Sequence, residues 1–198
     1  MNSLLPSARA AVLATLLLAV VTGGLYPLTV WAVARIAFPK SAAGSLVSDS
    51  TGSIRGSHLL SQNFTGNQYF HPRPSSAGSA GHDASSSGGS NLGPTSRKLR
   101  ELLQERITAY RSLNNLATNQ PVPADAVTTS ASGLDPHISP RNAELQAPRV
   151  ARARGIPTEK VVELVHRLTA GPDLGFLGDP RVSVLELNLA LDTQPTVP

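Results

Sequence analysis

From Ala10 to Ala34 the chain has no charged position. A helix rising about 1.5 Å per residue over that stretch crosses a hydrocarbon core of about 30 Å. Tyr26 and Trp31 fall toward one end, where amphipathic rings favour headgroup depth, and Arg9, Arg35 and Lys40 flank the run. The pattern predicts a transmembrane anchor over residues 10–38 behind a short tail, residues 1–9. Arg9 and Ala32-Val33-Ala34 also fit a secretory signal with its cleavage site. Signal cores are usually about 7–15 residues, however, and apolar character here continues through Leu28, Val30 and Ile36. The length favours an anchor that is kept. Within it, Gly23 and Gly24 permit close helix–helix approach and Pro27 removes a backbone donor, a kink that a neighbouring helix accommodates. All three are candidate packing positions.

Beyond Lys40 the pattern changes. Leu46-Val47, Ile54 and Leu59-Leu60 are short apolar pieces in a polar, glycine-rich stretch and could be brief strands. Residues 71–95 have neither a helical nor a strand period; their Gly, Ser and Pro content fits a disordered linker or an ordered loop laid over the domain. Thr95 or Ser96 then caps a helix to about Leu113, with Leu99, Leu102, Leu103, Ile107 and Tyr110 on one face. Ser139-Pro140 caps and opens another, which Pro148 is expected to interrupt and Gly155 to end. A short helix from about Thr158 to Leu168 stacks Val161, Val162, Leu164, Val165 and Leu168. Finally Leu185, Leu187, Leu189 and Leu191 alternate with Glu186, Asn188 and Ala190, which predicts a strand. The fold class is α+β: one transmembrane helix, then one mixed α/β soluble domain over residues 39–198 with a small sheet.

Composition narrows the chemistry. With no cysteine there is no disulfide framework, thiolate nucleophile or zinc-thiolate site. The net charge of +4 and 4% aromatic content do not make a nucleic-acid face: residues 1–100 hold eight Lys/Arg against two Asp/Glu, and residues 101–198 nine against eleven. There is no phosphate-loop lysine motif, no G-x-G-x-x-G and no H-E-x-x-H. None of the five histidines pairs with another at ligand spacing, so no metal site is expected.

Two clusters invite a chemical reading. Asp135-Pro136-His137 beside Ser130, Ser132 and Ser139 suggests a hydrolase triad, but triads are assembled across a fold, and no G-x-S-x-G elbow is present. The better reading is a rigid turn in which Asp135 accepts backbone amides and His137 leads into the Ser139 cap. Gly88-Gly89-Ser90-Asn91, just ahead of the Thr95-Ser96 cap, could turn amides toward an anion. An unliganded capped turn explains it more simply.

Taken together, Tyr69-Phe70-His71-Pro72-Arg73-Pro74-Ser75, SGGSNLGPT (87–95), SGLDPHISP (132–140), APRVARARG (147–155) and VLELNLALD (184–192) behind an amino-terminal anchor resemble the C subunit of the Kdp potassium-transporting P-type ATPases. The resemblance runs from about residue 10 to 192. Ser96 and Ser61 depart from the family's usual asparagine and glycine. It implies a non-catalytic accessory subunit of an ATP-driven potassium uptake complex in the plasma (inner) membrane. The implied partners are the ATP-hydrolysing pump subunit, the potassium-selective channel-like subunit, a small single-span subunit and the bilayer. The chain itself lacks an Asp-Lys-Thr-Gly phosphorylation motif and a TVGYG-like filter. His71, Arg73, Asp135 and His137 become turn and docking candidates. No cofactor is expected to bind firmly. In an alternative reading implied by the resemblance, Gly88, Gly89, Ser90 and Asn91 contact ATP and raise the pump subunit's affinity for it. Arg35 and Lys40 argue for a cytoplasmic domain by charge count, whereas a short tail before a long span fits a cytoplasmic amino terminus and an extracytoplasmic domain. The second orientation is the one the resemblance implies.

Overall fold

A computed structural model of the chain describes residues 4–49 and 51–193, so the ends of the expected tail and domain lie outside the described residues. Two units result, dividing between Leu46 and Val47.

In the first unit, α1 (Leu4–Val20) and α2 (Tyr26–Ala37) are joined by a π-helical turn, Val21–Leu25, into one 34-residue helix long and apolar enough to cross a membrane. Gly23 and Gly24 lie within the wide turn, and the Tyr26 amide donates to the Val21 carbonyl. Widening the helix immediately before Pro27 relieves the contact its ring would make with the preceding turn. Thr22 and Thr29 donate their hydroxyls to the Leu18 and Leu25 carbonyls at 2.7 and 2.8 Å, so neither presents an unpaired hydroxyl to an apolar surround. Among the described residues the helix runs from Leu4 and so includes Arg9, and a short α3 (Pro39–Ala42) follows it.

The second unit opens on a ribbon of β1 (Leu46–Ser48) and β2 (Ile54–Ser57). Asp49 closes its turn, accepting the Thr51 and Ser53 amides at 2.9 and 3.0 Å. Leu59 and Leu60 lie in a turn, not a strand. Helix α4 (Arg97–Asn114) is capped by Ser96, whose hydroxyl accepts from the Leu99 amide. Next come β3 (His137–Ile138), α5 (Pro140–Arg154), α6 (Thr158–Arg167), β4 (Thr169–Ala170), β5 (Arg181–Ser183) and α7 (Val184–Asp192). The sheet order is β3-β5-β4, antiparallel throughout, with Ile138 opposite Val182 and Thr169 opposite Val182 on the other side. Helices α5 and α6 form a hairpin whose Ala143, Ala147, Val150, Val161, Leu164 and Val165 meet Ile138, Val182, Leu187, Leu191 and Phe70 in one core.

Two further expectations are overturned. Residues 184–192 are helix, not strand: Ser183 caps it, accepting from the Glu186 amide, and Val184, Leu187, Asn188 and Leu191 form a buried helical stripe. Alternating leucines satisfy both periods over so short a run, and the cap together with the asparagine on the inner stripe decides for helix. Pro148 does not interrupt α5, because its ring faces solvent, where water can take up the carbonyl it leaves unbonded, while Ala147, Val150 and Ala151 hold the opposite face in the core. Gly155 does end the helix, in the left-handed conformation at φ 67°.

Candidate functional site

The inner face of α5 carries three polar residues among its alanines: Asn142 and Gln146, each 1% exposed, and Arg149, 5% exposed. Burying them is costly unless every polar atom finds a partner. Gln146 and Arg149 find partners in the chain from Asn67 to His71. Gln146 accepts the His71 amide at 2.8 Å and donates to the His71 carbonyl at 3.2 Å. From the opposite helix, Asn188 of α7 accepts the Phe70 amide at 2.8 Å and donates to the Phe70 carbonyl at 3.0 Å. Two side-chain amides thus do for this segment what neighbouring strands do in a sheet, while the fully buried Phe70 ring pins it to the core. Arg149 donates to the Asn67 and Tyr69 carbonyls at 2.7 and 3.0 Å, to Asn114 Oδ1 at 3.0 Å and to Gln146 Oε1 at 2.8 Å. Burial pulls its pKa down to about 10, still cationic at neutral pH.

Asp125 joins the same network. It accepts the Ser139 amide and hydroxyl at 2.8 and 2.9 Å and the Asn142 side-chain amide at 2.9 Å, and Tyr110 donates to Asn142 Oδ1 at 2.8 Å. Burial, reinforced by Asp125, pushes the Tyr110 phenol well above its ordinary range, so it stays a donor.

Arg73 extends the network outward. Its Nη1 donates to Asp135 Oδ2 at 2.8 Å and its Nη2 reaches the Thr129 carbonyl at 3.4 Å, while its Nε is buried without a partner. Asp135 Oδ1 accepts the His137 amide at 3.0 Å, and His137 Nδ1 lies 3.5 Å away. Burial raises the Asp135 pKa, but the bonds from His137 and Arg73 outweigh it and hold the carboxyl at about 2. Ser75 Oγ donates to the Gly133 carbonyl at 2.6 Å and accepts the Ala77 and His82 amides. Gly133, at φ 69°, has the Gly88 carbonyl and Ala77 amide where a Cβ would stand, at 2.6 and 2.8 Å, so only glycine fits.

These connections enclose a cleft of about 400 Å³ between residues 63–82, α4 and α5. His71, Arg73, His82, Arg106 and Tyr110 line it with Asn142 and Gln146. Arg106 donates to the Val127 carbonyl at 3.0 Å. Burial depresses the His71 pKa, with Arg149 adding to the effect, and burial depresses that of His82, so both rings are neutral at pH 7. Among the described residues, no three His, Asp or Glu side chains gather where they could hold a metal ion.

The structure therefore connects Arg73, Asp135 and His137 directly, whereas His71 is held by Gln146 and Gly66. It does not make a triad of them: Ser139 donates its hydroxyl to Asp125 and caps α5, and Ser132 Oγ accepts the Leu134 amide. Gly88 to Asn91 run beside residues 130–132 instead of lining the cleft, with the Gly88 amide donating to the Ser132 carbonyl at 2.9 Å. Gly23, Gly24 and Pro27 belong to the other unit. Sequence reading missed Asp125, Asn142, Gln146, Arg149 and Asn188. A signal was present: polar residues at 142, 146 and 149 fall on the helix stripe that Ala143, Ala147 and Val150 mark as buried.

An apolar helix able to span a membrane precedes a mixed helix-and-sheet unit cross-braced by polar side chains, an arrangement consistent with a single-pass membrane subunit. The family model of the K+-transporting ATPase c chain, KdpC, matches residues 8–193. The potassium-transporting ATPase KdpC subunit of Nitratidesulfovibrio vulgaris is 52% identical over 184 residues, covering 93% of this chain and 92% of that one. The KdpC subunit of Myxococcus xanthus is 55% identical over 173 residues (87% and 81%), and that of Mycobacterium tuberculosis 53% over 177 residues (89% and 93%). This chain belongs to the KdpC family.

Proposed function

We propose that this chain is the non-catalytic accessory subunit of an ATP-driven potassium uptake complex, holding the pump subunit and the potassium-selective subunit together from the extracytoplasmic side. The observation that carries the reading is how the family's motif residues are used. Arg73, Asp135, Arg149 and Asn188, together with Gln146 just ahead of the 147–155 motif, bind one another and the backbone, which makes a rigid body for docking instead of a set of groups presented to a substrate. Sidedness is carried over from the family resemblance, against the charge count of Arg35 and Lys40. The ATP-affinity reading would need free amides along Gly88 to Asn91, and that of Gly88 is engaged.

A single cysteine at exposed Ser86 tests both sidedness and ATP contact, since the chain has no native thiol. Intact cells should label with an impermeant maleimide. Labelling only after lysis places the domain where ATP is, and would revive direct nucleotide contact. In the same cells, Asp135→Ala should lower the yield of complex while leaving potassium-stimulated ATP hydrolysis per assembled complex within about twofold, the result expected of a lost turn interaction. A collapse of activity per complex at normal yield would assign Asp135 a direct step and overturn the accessory reading.

A further inference from the structure

Strands β4 and β5 form a hairpin whose tip, residues 171–180, is built in the reverse sense of a soluble loop. Leu174, Phe176 and Leu177 are 83%, 74% and 50% exposed, three large apolar side chains within four positions. Single exposed leucines are ordinary, but such a cluster on one ordered tip marks a contact surface. The tip is held in shape. Asp173 and Leu177 exchange both backbone bonds at 2.8 and 2.9 Å, the Gly175 amide donates to the Pro172 carbonyl at 3.1 Å, and Arg181 Nη2 grips the Asp173 carboxylate at 3.0 and 3.3 Å. Leu174 sits at φ 54°, a conformation that strains a bulky side chain and that glycine adopts freely. Strain retained at an exposed position points to a use for the side chain there.

We propose that Leu174, Phe176 and Leu177 form a preorganised apolar knob that docks into an apolar pocket edged by cationic side chains on another subunit of the potassium-transporting complex. The rim of the knob identifies the occupant. The charges within residues 171–180 are both acidic: Asp173, which Arg181 pairs, and Asp179. Anionic headgroups would repel Asp179, the basic side chain beside the tip, Arg181, is taken up by Asp173, and the tip carries no Trp or Tyr to anchor it in a bilayer. Two copies of the knob meeting head to head would set like charges against each other. A protein pocket with a basic edge satisfies both the apolar and the acidic parts, and a tip already fixed in shape loses little conformational freedom on docking. The inference rests on the accessory-subunit reading and names one contact by which the subunit holds on.

The test uses the full chain expressed with the other subunits in native membranes. With a photoreactive benzoylphenylalanine in place of Phe176, irradiation should cross-link the chain to another subunit of the complex, identified by mass spectrometry of the conjugate. Cross-links confined to lipid or to a second copy of this chain, or none at all, overturn the proposal. Phe176→Ser should reduce the amount of chain retained through detergent purification of the complex on the order of tenfold, as loss of one central aromatic anchor does; unchanged retention also overturns it. Leu174→Gly separates docking from folding. Docking predicts weaker retention together with an equal or higher thermal midpoint for the chain, because glycine relieves the strained φ; a lower midpoint would make the leucine structural and remove it from the knob. If the unaltered chain does not purify with the other subunits, the accessory reading itself falls and takes the knob with it. If it does and Phe176→Ser is retained equally well, the knob alone falls.

Discussion

Residues 71–95 and residues 171–180 are both rich in glycine and proline and both run outside the helices, yet the first is fastened inward and the second turns its apolar side chains to solvent. By composition the first segment fits a linker or an ordered loop equally well. Its order comes from partners far away in sequence: Gln146 for His71, Asp135 for Arg73, Gly133 for Ser75 and Ser132 for Gly88. The second holds itself, through bonds among residues 171–181. A loop braced from a distance carries the stability of the body it joins, whereas a self-braced tip can change its outward side chains at little cost to folding.

The largest expected effect breaks that contrast at its inner side. Asn188→Leu keeps the branched shape but leaves the buried Phe70 amide and carbonyl unpaired, at about 1–3 kcal/mol per group. We expect a loss of about 4 kcal/mol in denaturant unfolding of the detergent-solubilised chain, against less than about 0.5 kcal/mol for Phe176→Ser at the exposed tip. Equal losses at the two positions would mean that the loops do not differ in the way their bonding indicates.

A second measurement sharpens the reading of α7. Leu187 is fully buried and Leu189 is only partly so, although a strand would place both on one face. Leu187→Ala should cost about 3 kcal/mol and Leu189→Ala under about 1 kcal/mol. Similar costs would favour the strand that the alternating leucines predict.

That case shows what was legible. The anchor could be read because the charge-free run is longer than a signal core and long enough to cross a bilayer, and α4, α5 and α6 because Ser96 and Ser139 cap two of them, Gly155 ends one, and the apolar period of α4 and α6 is clear. The leucines of 184–192 fit two periods at once, so tertiary burial decided between them. The sheet was legible only as small: its strands β3 and β4 are two residues each, too short to leave a pattern. For the site, Asp135 as an amide acceptor was visible locally, since its partner is two residues on. Its bond to Arg73 spans 62 positions, and the role of Asn188 spans 118. Separation of that kind leaves no local trace, so the residues doing most to order the loop were the least visible.

The smallest of the expected effects compares the two Arg–Asp pairs that serve the two loops. The Arg73–Asp135 side chains are 23% and 29% exposed, whereas those of Arg181 and Asp173 are 34% and 71% exposed. A pair in contact with water contributes about 0–1 kcal/mol, so Asp173→Asn should cost less than about 0.5 kcal/mol. Asp135 is different because its folded-state pKa, about 2, lies below the 3.8 of an ordinary aspartate. The stabilisation is complete above about pH 4 and is lost as pH falls toward 2, where the folded state must also take up the proton. Its size follows from the shift at about 1.4 kcal/mol per pKa unit, giving about 2 kcal/mol at neutral pH. Asp135→Asn preserves the side-chain shape and should lower stability at pH 7 by about that amount. The difference between the two proteins should then shrink as the pH is taken from 4 to 2, measured by urea unfolding at each pH. A difference that stays constant across that range would show that the Asp135 charge is not what fastens Arg73, and that residues 71–95 are held by their backbone bonds alone.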